Sequence, residues 1–139
     1  MQNHILVIDG QGGQLGSQII KALLVKYPDV SITAVGTNAA ATSSMMKAGA
    51  SRAATGENPV IVACRKANII VGPIGIVIAD SLMGEITPAM AAAVGQADAV
   101  RILLPMNKCE NMVAGINHLP VSVLIQDAVE KVGAVMTAQ

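Results

Sequence analysis

The sequence predicts an α/β fold: one domain, residues 1–139, with a mainly parallel five-stranded sheet in the order 3-2-1-4-5 and helices on both faces. Three observations lead there. Strand-like and helix-like hydrophobic periods alternate along the chain, as they do when crossover helices join parallel strands. The apolar run Ile5-Leu6-Val7-Ile8 ends in Asp9, passes through the glycine-rich turn Gly10-Gln11-Gly12-Gly13, and opens directly into an amphipathic helix period. At 139 residues the chain holds one core and has no room for a separate substrate domain. Right-handed crossovers on this element order place the reversal, and hence the crevice, between strands one and four.

Each element has a local reason. Residues 4–9 read as the first strand. Residues 13–27 read as a helix, because Leu15, Ile19 and Leu23 form one stripe with Ile20 and Leu24 beside it. Pro28 and Asp29 end it. Residues 30–35 give the second strand, with Gly36-Thr37-Asn38 as its exit turn, and 39–48 a small-residue helix closed by Gly49. Asn58 and Pro59 suit an N-cap and first turn, and Arg65-Lys66 suit the helix C-terminus that follows. Residues 68–71 are expected as the third strand. Thr87-Pro88 opens a helix through Val94 that Gly95 closes. Residues 99–104 are expected as the fourth strand, 112–116 as the fifth, and 120–132 as the final helix. Residues 74–79 fit an extra strand, a buried helix or an oligomer contact equally well, since periodicity does not separate these for a short apolar run.

Composition narrows the function classes. Hydrophobic residues make up 53% of the chain and charged residues 13%, about half the usual share for a soluble domain. So few charges predict a homo-oligomer that covers part of the apolar excess. Net charge is zero, no basic run occurs and Tyr27 is the sole aromatic. DNA and RNA therefore lack both an electrostatic footprint and a stacking platform. No uninterrupted apolar stretch reaches the roughly 18 residues of a membrane span. Cys64 and Cys109 form no CxxC pair, which reads as free thiols in a cytoplasmic protein. No His/Cys cluster suggests a metal.

The glycine turn carries the functional expectation. A strand, a glycine turn and a helix N-terminus in that order present backbone N–H groups to an anion. Gly10 lets the chain leave the strand sharply, Gly12 and Gly13 are expected to admit a ligand oxygen close to the backbone, and Gly16 lets the helix pack near the sheet. The spacing is GxGGxxG, and no Gly-Lys-Ser/Thr follows, which excludes a P-loop. The second strand ends without the acid that holds ribose hydroxyls in NAD-binding folds. That leaves a phosphorylated ribose, as in NADP, or another nucleotide, with Thr37, Asn38 and Arg52 as donors; Asn38 is equally suited to capping the helix after it. The expected ligand-binding set is Gly10, Gln11, Gly12, Gly13, Gly36, Thr37, Asn38, Thr55, Gly72 and Asn107. Asp9, Glu57 and Glu85 are the candidate acid/base or Mg²⁺-ligating residues, each with a capping or turn-bracing role as the alternative. Cys109, in the loop after the fourth strand, is a candidate nucleophile or a bystander thiol.

Taken together, the stretches VIDGQGGQLG (7–16), GTNAAAT (36–42), KAGASRAATGEN (47–58), GPIGI (72–76) and GEITPAM (84–90) resemble a family of short uncharacterised bacterial proteins, a domain of unknown function. The resemblance implies a compact Rossmann-like domain in a bacterial cytoplasm and supplies no activity. Three readings of function stay open. One is a binder of a nucleotide or other phosphorylated small molecule at the glycine turn. Another is a small-molecule enzyme using Asp9, Glu57 or Glu85. The third is a non-catalytic oligomeric regulatory subunit built around 74–79.

Overall fold

The computed structural model describes residues 3–106 and 110–138. Five parallel strands form one sheet in the order β3-β2-β1-β4-β5, with β1 Ile5–Asp9, β2 Ile32–Gly36, β3 Arg52–Thr55, β4 Ile69–Pro73 and β5 Val100–Leu104. Helices α1 (Gln14–Lys26), α2 (Ala39–Lys47), α3 (Glu57–Lys66), α4 (Pro88–Gln96) and α5 (Val121–Ala138) complete the fold. The expected strand order holds, but two segments change places in it. The third strand is Arg52–Thr55, a segment with no strand signal in its sequence. Residues 68–71 therefore supply the fourth strand and 99–104 the fifth. Residues 112–116 form no strand; Gly115 has φ +82° and Met112 is 95% exposed. The run is apolar but exposed, with Met112 and Ile116 both facing solvent. The true β3 carries two alanines and no β-branched apolar residue, because an edge strand that is half covered needs no large core side chains.

Strand alternation divides the core into two layers. Ile5, Val7, Ile32, Ile69 and Val71 point toward α1, α2 and α5, while Leu6, Ile8, Val35 and Ile70 point toward α3 and α4. Segment 74–79 is resolved by packing: Ile74–Val77 makes a single 3₁₀ turn, with Gly75 and Ile76 buried beside α4. Its buried residues serve the core beside α4, while Ile74, Val77 and Ile78 stay partly exposed and Ala79 exposed. Helix α3 starts at Glu57 after Gly56 at φ 110°, so Asn58 lies inside the first turn and is not the N-cap. Thr87 caps α4 as expected, accepting from Met90 N, with Pro88 opening the helix.

Candidate functional site

The carboxyl ends of β1 and β4 meet at the reversal of strand order, where Rossmann-like sheets hold their ligands. Asp9, the last residue of β1, is 2% exposed. Its Oδ1 accepts from Gly10 N and its Oδ2 from Gly16 N, each at 2.8 Å. Burial lifts the Asp9 pKa above the ordinary carboxylate value; the two amide bonds oppose that rise, and the nearby negative charge of Glu85 adds to it. Each oxygen thus braces the turn against α1, which is the geometry of the turn-bracing alternative for Asp9.

The glycines divide by exposure. Gly13, at φ +72°, is buried, and a Cβ there would lie 2.7 Å from the Ala41 backbone of α2. Gly10 is also buried: a Cβ would meet Thr37 Oγ1 at 2.6 Å, Leu82 Cδ2 at 2.7 Å and Glu85 Oε1 at 2.8 Å. Gly36 packs against Thr42 and Gly72 against the Ile8 carbonyl. These four glycines permit close packing of the protein on itself. Gly12 alone of the turn glycines opens to solvent, its nearest would-be contact being Gln14 Cγ at 3.9 Å. The amides follow suit. Gly10 N is bound to Asp9, and Gly13 N donates to Gly10 O at 2.9 Å. Among the described residues the N–H groups of Gly12, Gln14 and Leu15 have no protein acceptor, and of these residues only Gly12 and Gln14 are exposed. Of Gly12 and Gly13, both expected to admit a ligand oxygen, only Gly12 has a free, exposed amide; the Gly10 and Gly13 amides are bonded within the protein.

An acid from across the sheet fills the corner. Residues 78–87 fold back over the switch point, with Leu82 and Ser81 buried against it. They deliver Glu85 to the glycine turn. Its Oε1 accepts from Gln11 N at 2.8 Å, from Asn38 Nδ2 at 2.9 Å and from Thr37 Oγ1 at 2.5 Å. Its Oε2 accepts nothing from the described residues. Burial alone would raise the Glu85 pKa, but the bonds from Thr37, Gln11 and Asn38 outweigh it and hold the pKa below the ordinary value. Asn38 serves three partners at once: Oδ1 caps α2 through Ala41 N at 2.9 Å, while Nδ2 reaches Gln11 O and Glu85. The second strand has no acid of its own, yet an acid stands at its end.

The remaining candidates lie around this mouth. Glu57, in the first turn of α3, accepts from the Thr87 hydroxyl at 2.6 Å and so ties α3 to the start of α4. Thr55 shares a 2.7 Å hydrogen bond with Thr42, on the α2 side. Arg52, expected beside Thr37 and Asn38, instead opens β3 opposite Thr33, three residues before the strand's carboxyl end, and lines a cavity with His4 and Ser31. Asn107 and Cys109 lie outside the described residues. No group of three or more His, Cys, Asp or Glu residues suited to a metal occurs among the described residues. Nor does any helix among them have the length and apolarity to cross a membrane.

A family model matches residues 4–137. The chain belongs to the DUF3842 family. Its description reads Domain of unknown function, so the membership carries no activity. No curated protein matches this DUF3842 chain in sequence. Among solved structures it is similar to a dodecameric FMN-dependent UbiX-like decarboxylase from Escherichia coli O157:H7. The identity is 15%, the TM-score 0.47, and the match covers 95% of this chain and 94% of that one.

Proposed function

We propose that this DUF3842 protein binds a nucleotide or other phosphorylated small molecule at the mouth formed by Gly12, Gln14, Thr37, Asn38 and Glu85. The observation that carries the reading is Glu85: three donors hold one carboxylate oxygen beside the end of β2, and the other oxygen has no protein partner. A carboxylate fixed in this way is a preorganised acceptor for ligand hydroxyls, the role an acid plays at the end of the second strand in dinucleotide folds. The unpaired amides of Gly12 and Gln14, at the positive end of α1, suit a phosphate oxygen. The same carboxylate would repel a 2′-phosphate, so a ligand with free ribose hydroxyls fits better than NADP. No reaction is assigned: Asp9 is buried and braces the turn, and Glu57 ties α3 to Thr87.

A structural reading competes: Glu85 is itself the anion of the turn, and residues 78–87 close the corner. Thermal unfolding against ATP, GTP, NAD, NADP, CoA and sugar phosphates separates the two. A ligand at 100 times its Kd stabilises by about 2.7 kcal/mol. That shift, lost in Gly12→Val, supports binding; flat curves across the panel leave Glu85 as an internal brace. We also propose a homo-oligomer, on the 13% charged share and on the exposed Val25, Met83 and Met112. A monomer by light scattering at micromolar concentration would refute it.

A further inference from the structure

A second concavity lies away from the glycine turn, on the α3 side of the sheet. Helix α3 connects β3 to β4 and packs against α4, so it leaves the β2–β3 half of that face partly open. The result is a cavity of about 500 Å³ between α3 and the sheet. That volume lies within the roughly 300–1,000 Å³ of small-molecule sites. Parallel register builds its floor in two rows, Leu6–Thr33–Arg52 and then Val35–Ala54. Pro59, Val62 and Ala63 of α3 form the wall.

The polar groups are distributed unevenly. Arg52 opens β3 and Lys66 closes α3, so both stand toward the amino edge of the sheet, where His4 and Ser31 also line the cavity. No Asp or Glu lines it, although the chain has as many acids as bases. Neither Arg52 nor Lys66 has an ion-pair or hydrogen-bonding side-chain partner among the described residues, where the one salt bridge is Lys131–Asp127. An apolar trough with two unpaired cations at one end has the chemistry of a site for an amphipathic acid.

We propose that this cavity binds a small organic acid with an apolar body, the body lying between Thr33 and Ala54 of the sheet and Pro59, Val62 and Ala63 of α3, and the acid group meeting Arg52 and Lys66. The site is independent of the glycine turn and takes a different class of ligand. Concavity favours a small molecule over a protein surface, which would need about 800 Å² of contact per partner.

Decanoate, below its micellar range, is the probe, with decanol and inorganic phosphate as controls. Titration calorimetry on the full chain should show decanoate binding that weakens with added salt. Neither control should bind comparably, since one lacks the charge and the other the body. Arg52→Gln combined with Lys66→Gln should weaken decanoate about ten-fold, two solvent-facing pairs being lost. Ala54→Phe should fill the floor and abolish binding while leaving any nucleotide-induced stabilisation intact. If Ala54→Phe fails to fold, Ala63→Phe tests the same volume from the helix side. Equal affinity for decanol, an unchanged affinity in the double Gln variant, or full binding by the folded Phe variant would each overturn the proposal. So would light scattering showing that Ala54→Phe splits an oligomer in which wild type binds no decanoate.

Discussion

Replacing Glu85 tests how the carboxyl edge is held together. Its Oε1 accepts three hydrogen bonds from residues 11, 37 and 38, two loops that otherwise meet through Asn38 Nδ2 and Gln11 O and through Thr37 N and Asp9 O. A neutral hydrogen bond is worth about 1 kcal/mol net, and one to an ionised acceptor somewhat more. The site is only half-buried, so solvent screening reduces the charged part. Glu85→Ala removes all three acceptors and should cost about 2–3 kcal/mol; Glu85→Gln keeps an acceptor oxygen and should cost about 1–2. At about 4 °C per kcal/mol for a chain of this size, the Ala variant should melt roughly 8–12 °C lower. The pH dependence gives a sharper check. The folded pKa lies below the ordinary value of 4.5, so the stabilisation is present above that value. It is lost as pH falls through the lower folded pKa. The gap between wild type and Glu85→Gln should therefore be widest near neutrality and shrink in acid. Circular dichroism melts at pH 7 and at pH 3 measure it. An Ala variant melting within 1 °C of wild type, or a Gln penalty equal at both pH values, would refute the reasoning.

Three other outcomes follow from the packing. Gly12→Ala should leave the melting temperature within about 2 °C of wild type, whereas Gly13→Ala should lower it sharply, since its Cβ meets the Ala41 backbone at positive φ; parallel melts decide. Cys64 is buried and its thiol pKa is pushed up to about 11, so in a Cys109→Ser background an aromatic disulfide reagent at pH 8 should label it only at the rate of unfolding. Labelling faster than unfolding would show the thiol to be accessible. Gly133→Ala places a Cβ 2.0 Å from Tyr27 Oη, which offsets the usual helix gain of about 1 kcal/mol. In a Tyr27→Ala background the same change should stabilise by about that gain, and a denaturant double-mutant cycle showing no coupling would sink the account.

Local chemistry determined most of the frame. Hydrophobic periods, Asn38 and Thr87 as caps, Pro88 and the glycine turn are signals read within a few residues, and they sufficed for four of the strands, the helices and the strand order. Tertiary structure decided what lies between residues far apart. Arg52–Thr55 became a strand by pairing with the free edge of β2, while 112–116, more apolar, stays outside the sheet although the outer edge of β5 is open. Glu85 reached Gln11 across 74 residues of separation, and no period or motif near either residue encodes that meeting. The glycines were legible as a turn, but their partners were not: three-dimensional packing spent Gly10 and Gly13 on the protein itself and left Gly12 to the solvent. Backbone preference is a property of neighbours in sequence, whereas the surroundings of an anion are a property of neighbours in space.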